Sequence, residues 1–140
     1  MQILIPIDAE NALREDLTAI QGDNAIPVSA SWPHDVESRL PWARVHRYGG
    51  RRISEVVDEH DLNVEVLADN DAEAMEYSNM LLAYCRALMD KDYTDNPSGA
   101  EWLEVEESSF PVLSIDSTQP ALSHTDFFIT ATCRARAIEV

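Results

Sequence analysis

From Leu62 to Ala68 the chain alternates, with Leu62, Val64, Val66 and Ala68 on one side of an extended backbone and Asn63, Glu65 and Leu67 on the other. That period of two predicts a β-strand with one face in a core, because a slip of one residue would turn every apolar side chain to water. A second run, residues 42–48, sets Ala43 and Val45 against Trp42, Arg44, His46 and Tyr48 and ends at Gly49-Gly50. Together the two predict a long antiparallel hairpin. The stretch between them, residues 51–61, exceeds what a tight turn needs, and long connections in small domains often carry function.

Helical spacing flanks the hairpin. Asp8 is placed as an N-cap, and Leu13, Leu17 and Ile20 recur at i, i+4 and i+7 before Gly22, which predicts a first helix over about residues 8–21. Asn70 with Glu73 three residues later makes a capping-box pattern, followed by Met75, Ser78, Leu82, Cys85 and Met89 on one stripe of a second helix over about 71–90. Residues 25–30 predict a short edge strand, since Pro27 bars it from a sheet centre. Two further strands are expected at 101–106 and 126–137, the latter alternating Phe127, Ile129, Ala131 and Cys133 with polar neighbours. Residues 90–99 and 108–123, the latter with Pro111 and Pro120 among serines and threonines, read as loops. The fold class is therefore α+β over residues 1–140 as one domain: a mainly antiparallel or mixed sheet of four or five strands with two helices on one face. Its core is expected to contain Leu13, Leu17, Leu62, Val64, Val66, Leu82, Cys85, Phe127 and Ile129.

Charge narrows the function classes. Against 26 acidic residues stand 10 basic ones, a formal net charge of −16. Phosphate-backbone binding needs accumulated cations, so general nucleic-acid binding and anionic membrane surfaces are disfavoured. Nine of the ten cations are Arg, the residue suited to fixed bidentate pairing at interfaces; GC-rich codon usage produces the same bias. Cys85 and Cys133 form no paired spacing and are expected as reduced, buried thiols of a cytoplasmic protein. No signal peptide or membrane span is expected.

Chemistry-bearing motifs are few. His34, His46, His60 and His124 lie in no zinc-ligand spacing. Asp58-Glu59-His60-Asp61 is expected as a solvated charge run, because consecutive residues of an extended segment point to opposite sides and cannot converge on one ion. Glu101/Glu104 and Glu106/Glu107 look like the wet side of an edge strand, and Ser108-Ser109 lacks a nucleophile elbow. No catalytic, cofactor or metal site is expected.

The remaining feature is Arg44, Arg47, Arg51 and Arg52, four of nine arginines within nine residues. They read either as strand-surface charges paired with Asp58, Glu59 and Glu65 across the hairpin, or as a basic patch at an interface, meeting an acidic face of another copy or another protein. Charge asymmetry of this kind suits a head-to-tail ring, whose joints join two different faces.

The order of elements, with Tyr48-Gly49-Gly50-Arg51-Arg52, the strand Asp58-Glu59-His60-Asp61-Leu62-Asn63-Val64-Glu65-Val66-Leu67-Ala68 and the following Ala72-Glu73-Ala74-Met75-Glu76 helix, resembles the tail terminator proteins of long-tailed phages, most of all those of phages infecting actinobacteria. The resemblance spans roughly residues 40–106. It implies a homohexameric ring that caps the tail tube, stops its polymerisation and joins tail to head, with no enzyme activity and no cofactor. The implied partners are further copies of the chain, the major tail tube protein and the head-tail connector or neck protein, in a virion assembled in the host cytoplasm. DNA would pass through the lumen without specific binding, which an acidic lining favours by repelling phosphates. Other neck and tube proteins have related folds and sizes, and an acidic adaptor or DNA mimic is the alternative from a different class.

Overall fold

A computed structural model of the protein describes residues 1–93, 95–116 and 118–140; Thr94 and Ser117, in the two stretches expected as loops, lie outside the described residues. The elements in order are β1 (Gln2–Ile5), α1 (Ala9–Ile20), β2 (Val28–Ser29), β3 (Trp42–Arg52), β4 (Val57–Ala68), α2 (Asp71–Ala87), β5 (Trp102–Ser114), β6 (Ser123–Arg134) and β7 (Arg136–Glu139). The main sheet has the order β2-β3-β4-β6-β5, antiparallel except where β2 runs parallel to β3, and β1 pairs with β7 in a separate ribbon. The protein is thus α+β, with α1 against β2 and β3, α2 against β4, β5 and β6, and the helices touching each other.

Local chemistry explains the elements. The Asp8 carboxylate accepts from the Asn11 amide at 3.0 Å and the Asn70 side chain from the Glu73 amide at 2.9 Å, so each helix starts at its expected cap. Gly22, at φ +79°, takes the left-handed turn that ends α1. Along β4, Leu62, Val64 and Val66 point into the helix layer and meet Leu13, Leu17, Leu82, Cys85, Phe127 and Ile129 in one buried cluster. Burial of this kind, at about 25 cal/mol per Å² of apolar surface, is the main stabilising contribution.

Six expectations need correction. The hairpin connection is residues 53–56, not 51–61, because β3 continues through Gly49-Gly50 to Arg52 and β4 begins at Val57. The glycines do not end the strand; they thin it, since a Cβ on Gly50 would stand 2.5 Å from the Glu59 carbonyl oxygen. Asp58 and His60 are buried at 3% and 1% exposure, so the segment is not a solvated run: its alternation continues that of β4, turning these two inward and Glu59 and Asp61 outward. Much of 108–123 is strand, for β5 runs on to Ser114, with Pro111 inside a register irregularity between Ser109 and Val112, where the ladder does not need its missing N–H. Last, α2 stops at Ala87, leaving Met89 exposed, and the strand expected to reach 137 breaks at Ala135 between β6 and β7.

One irregularity governs the side chains of the hairpin. Arg47 pairs with Leu62 but Gly49 pairs with Asp61, so Tyr48 is an extra residue on β3 and the alternation resets there. Before it Ala43, Val45 and Arg47 share the helix side; after it Gly50 and Arg52 do.

Candidate functional site

The reset divides the four arginines. Arg44 and Arg51 lie on the sheet face turned away from the helices, while Arg47 and Arg52 lie on the helix side, and the strand between Arg44 and Arg52 is roughly 25 Å long at ~3.3 Å per residue. They therefore do not form one continuous patch. Arg44 Nε meets Glu65 Oε2 at 2.5 Å and its Nη2 meets Asp116 Oδ2 at 3.3 Å. Arg51 reaches Glu59 at 3.3 Å and Arg52 reaches Asp58 at 3.4 Å. Arg47 donates to the Gly49 carbonyl and, among the described residues, has no carboxylate partner.

Around Arg44 the structure gathers a polar cluster that no local spacing announces. Glu65, Asp116 and His124, all buried, come from β4, the segment after β5, and β6. His124 Nε2 lies 3.1 Å from Glu65 Oε1, and Nδ1 lies 2.5 Å from the Ser114 hydroxyl. Trp32 donates its indole N–H to Asp116 at 2.7 Å and lays its ring over the Arg44 guanidinium, 4.4 Å from the ring centroid. Burial alone would raise the Glu65 pKa, but hydrogen bonds with His124 and Arg44 outweigh it and hold the group at about 2. Asp116 is likewise held at about 2, burial being outweighed by hydrogen bonds from Thr118 and Trp32 and by the Arg44 charge. Two carboxylates and an imidazole resemble a metal-ligand set, yet every ligand atom already has a partner and Arg44 bridges the two acids. A divalent cation would have to displace that guanidinium, so the chemistry of the donor set does not fit one. The cluster fastens residues 32 and 116 across the outer face of the sheet.

Nucleophilic chemistry finds no support either. Burial pushes the Cys85 and Cys133 thiols up to about 12. An open groove of about 620 Å³ runs between the start of α1 and the ends of β6 and β7, but Glu101 in its wall is paired with Arg134. Its Ser98 hydroxyl donates to the Asp16 carboxylate at 2.7 Å, an oxygen that the Trp102 indole and the Asn96 amide also engage.

What stands out is the open face of the main sheet. Both helices pack on the other side; the segments of Trp32 and Asp116 cover this face around Arg44 and the buried Glu65 and His124, and beyond them, in the described residues, it carries Glu59, Asp61, Glu104 and Glu106 in register rows with Arg51. Its two edges differ: β5 forms one, and β3 beyond its two-residue pairing with β2 forms the other. The apolar side chains of Phe110, Val112 and Ile115 stand exposed at the end of β5. Among the described residues no helix is long and apolar enough to cross a membrane. No model of a known protein family matches the chain, and no curated protein matches it.

Proposed function

We propose that the protein is a structural component of a long-tailed phage virion, a tail terminator whose copies close into a ring that caps the tail tube, stops its growth and joins tail to head. The observation that carries this reading is the acidic sheet face left bare by both helices, bounded by two open strand edges. Joined side to side about an axis along the strands, such sheets would turn that face inward and line a lumen with carboxylates. Phosphates would be repelled rather than held, which suits a passage for DNA. Non-identical edges favour head-to-tail joints and hence closed rotational symmetry. Ring formation, rather than catalysis, also accounts for a protein whose Glu65, Asp116 and His124 cluster is internally satisfied and whose thiols are buried.

The test is genetic and visual. Deleting the gene from the phage genome that carries it and imaging the lysate by electron microscopy is expected to give over-long tail tubes without heads, restored to normal length by supplying the protein in trans. Normal virions from the deletion would refute the reading. An acidic adaptor or another neck protein would leave tube length unchanged.

A further inference from the structure

Taking the ring reading as its basis, we infer that each joint is an edge-to-edge contact between two copies, in which Arg51 on β3 of one meets Glu104, and diagonally Glu106, on β5 of the next. The register across the sheet supplies the geometry. One transverse row runs Arg51, Glu59, Thr132, Glu104, and the adjacent row runs Gly49, Asp61, Thr130, Glu106. The first row thus carries a cation at one end and a carboxylate at the other, while the second ends in Gly49, which has no side chain to stand between Arg51 and Glu106. Rotation about an axis parallel to the strands leaves heights unchanged, so Glu104 of one copy comes level with Arg51 of its neighbour. β5 runs opposite to β3 through the intervening antiparallel pairs, so the two edges meet antiparallel.

The side chains at the two edges match. Glu101 and Glu107 are engaged by Arg134 and Arg86, which leaves Glu104 and Glu106 to each other. Their proximity holds the Glu106 carboxyl above its ordinary range, first through a hydrogen bond with Glu104 and then through repulsion by Glu104, Glu107 and Glu59. A facing cation would relieve that crowding. On the other edge Arg51, on the same open face as Glu104 and Glu106, has 74% of its side chain in water despite its contact with Glu59. β2 covers β3 only at Ala43 and Arg44, leaving the arginine-bearing part of the edge uncovered by any strand. At the other end of β5 the row through Val112 ends at Arg44 and, beyond it, at Ser29, so Val112 falls beside β2 of the neighbour.

Charge reversal tests the joint. Wild type, E104R, R51E and an equal mixture of the two variants are compared by native mass spectrometry and sedimentation velocity at low salt, with circular dichroism to confirm folding. Wild type is expected to form closed rings and each variant alone to associate at least about tenfold more weakly. The mixture regains rings of alternating copies, because the reversed β5 of one variant meets the reversed β3 of the other. Rings from either variant alone would overturn this joint while leaving the ring reading intact. A mixture that stays dissociated from two folded variants would also overturn the joint. Wild type that remains monomeric to millimolar concentration would overturn both.

Discussion

Replacing Glu65 by Gln tests the polar cluster through its pH dependence. In the folded chain Glu65 sits at about 2 against an ordinary value of 4.5. A group depressed in the folded state contributes stability that is complete above the unfolded value and is lost as pH falls through the folded one. With about 1.4 kcal/mol for each tenfold change in proton affinity, the ionised carboxylate stabilises the fold by about 3 kcal/mol at pH 7, and roughly 1 kcal/mol of that remains near pH 3. The isosteric amide cannot ionise, so the stability difference between wild type and E65Q should narrow by about 2 kcal/mol between those pH values. Comparing the two proteins cancels the larger background change that comes from titrating the other acids on a chain of net charge −16. Urea unfolding followed by tryptophan fluorescence at a series of pH values measures the difference directly. A gap that stays constant from pH 7 to pH 3 would falsify the claim that Arg44 and His124 hold Glu65 ionised.

Other perturbations follow from the same structure. Asp16, fully buried, accepts from the Trp102 indole at 2.7 Å, the Asn96 amide at 2.7 Å and the Ser98 hydroxyl at 2.7 Å. D16A leaves those donors unpaired and should lower the unfolding free energy by about 3 kcal/mol, with a change in Trp102 emission; a loss under ~1 kcal/mol would contradict this role. G50A forces a Cβ against the Glu59 carbonyl and should lower stability by about 2 kcal/mol, with hydrogen exchange accelerating at residues 49–60; unchanged exchange would count against it. His60 is buried and, among the described residues, has no partner at either ring nitrogen, and burial lowers its pKa below 6.5, with Arg47 adding to the effect. Its contribution to stability is complete above pH 6.5 and falls as the solution is acidified below that value, so H60L should flatten the stability profile in that window. An acid-side slope identical to wild type would argue that His60 is solvated in the folded state.

The strands and helices that depend on neighbours in sequence were legible there. Asp8 and Asn70 cap the helices because capping needs a side chain and an amide three residues apart, and Leu62 to Val66 face the core because alternation is a local pattern. The rest of β5 was hidden because Pro111 and the serines around it carry turn composition, and only its place at the sheet edge makes a proline tolerable. Nor could the charge at Asp58 and His60 be read as buried, since hydrophilic residues in the core of a sheet contradict composition and are sorted only by strand phase. The cluster of Glu65, Asp116 and His124 comes from three strand ends at sequence separations that no motif encodes; Glu65 alone was anticipated as a partner of Arg44.

The extra residue at Tyr48 has a consequence for how this chain can vary. Because β3 changes phase there, its first half and its last half obey opposite inside–outside rules although they form one continuous strand. Removing that one residue would close the bulge and leave a regular ladder, with Gly49 still beside Asp61, Arg51 still on the open face and Arg52 still on the helix side. A single-codon deletion at position 48 would therefore preserve the electrostatic identity of the edge, whereas a charge-reversing substitution at Arg51 would change it. Loss of position 48 is expected to be more frequent among functional descendants of this protein than charge-reversing changes at Arg51.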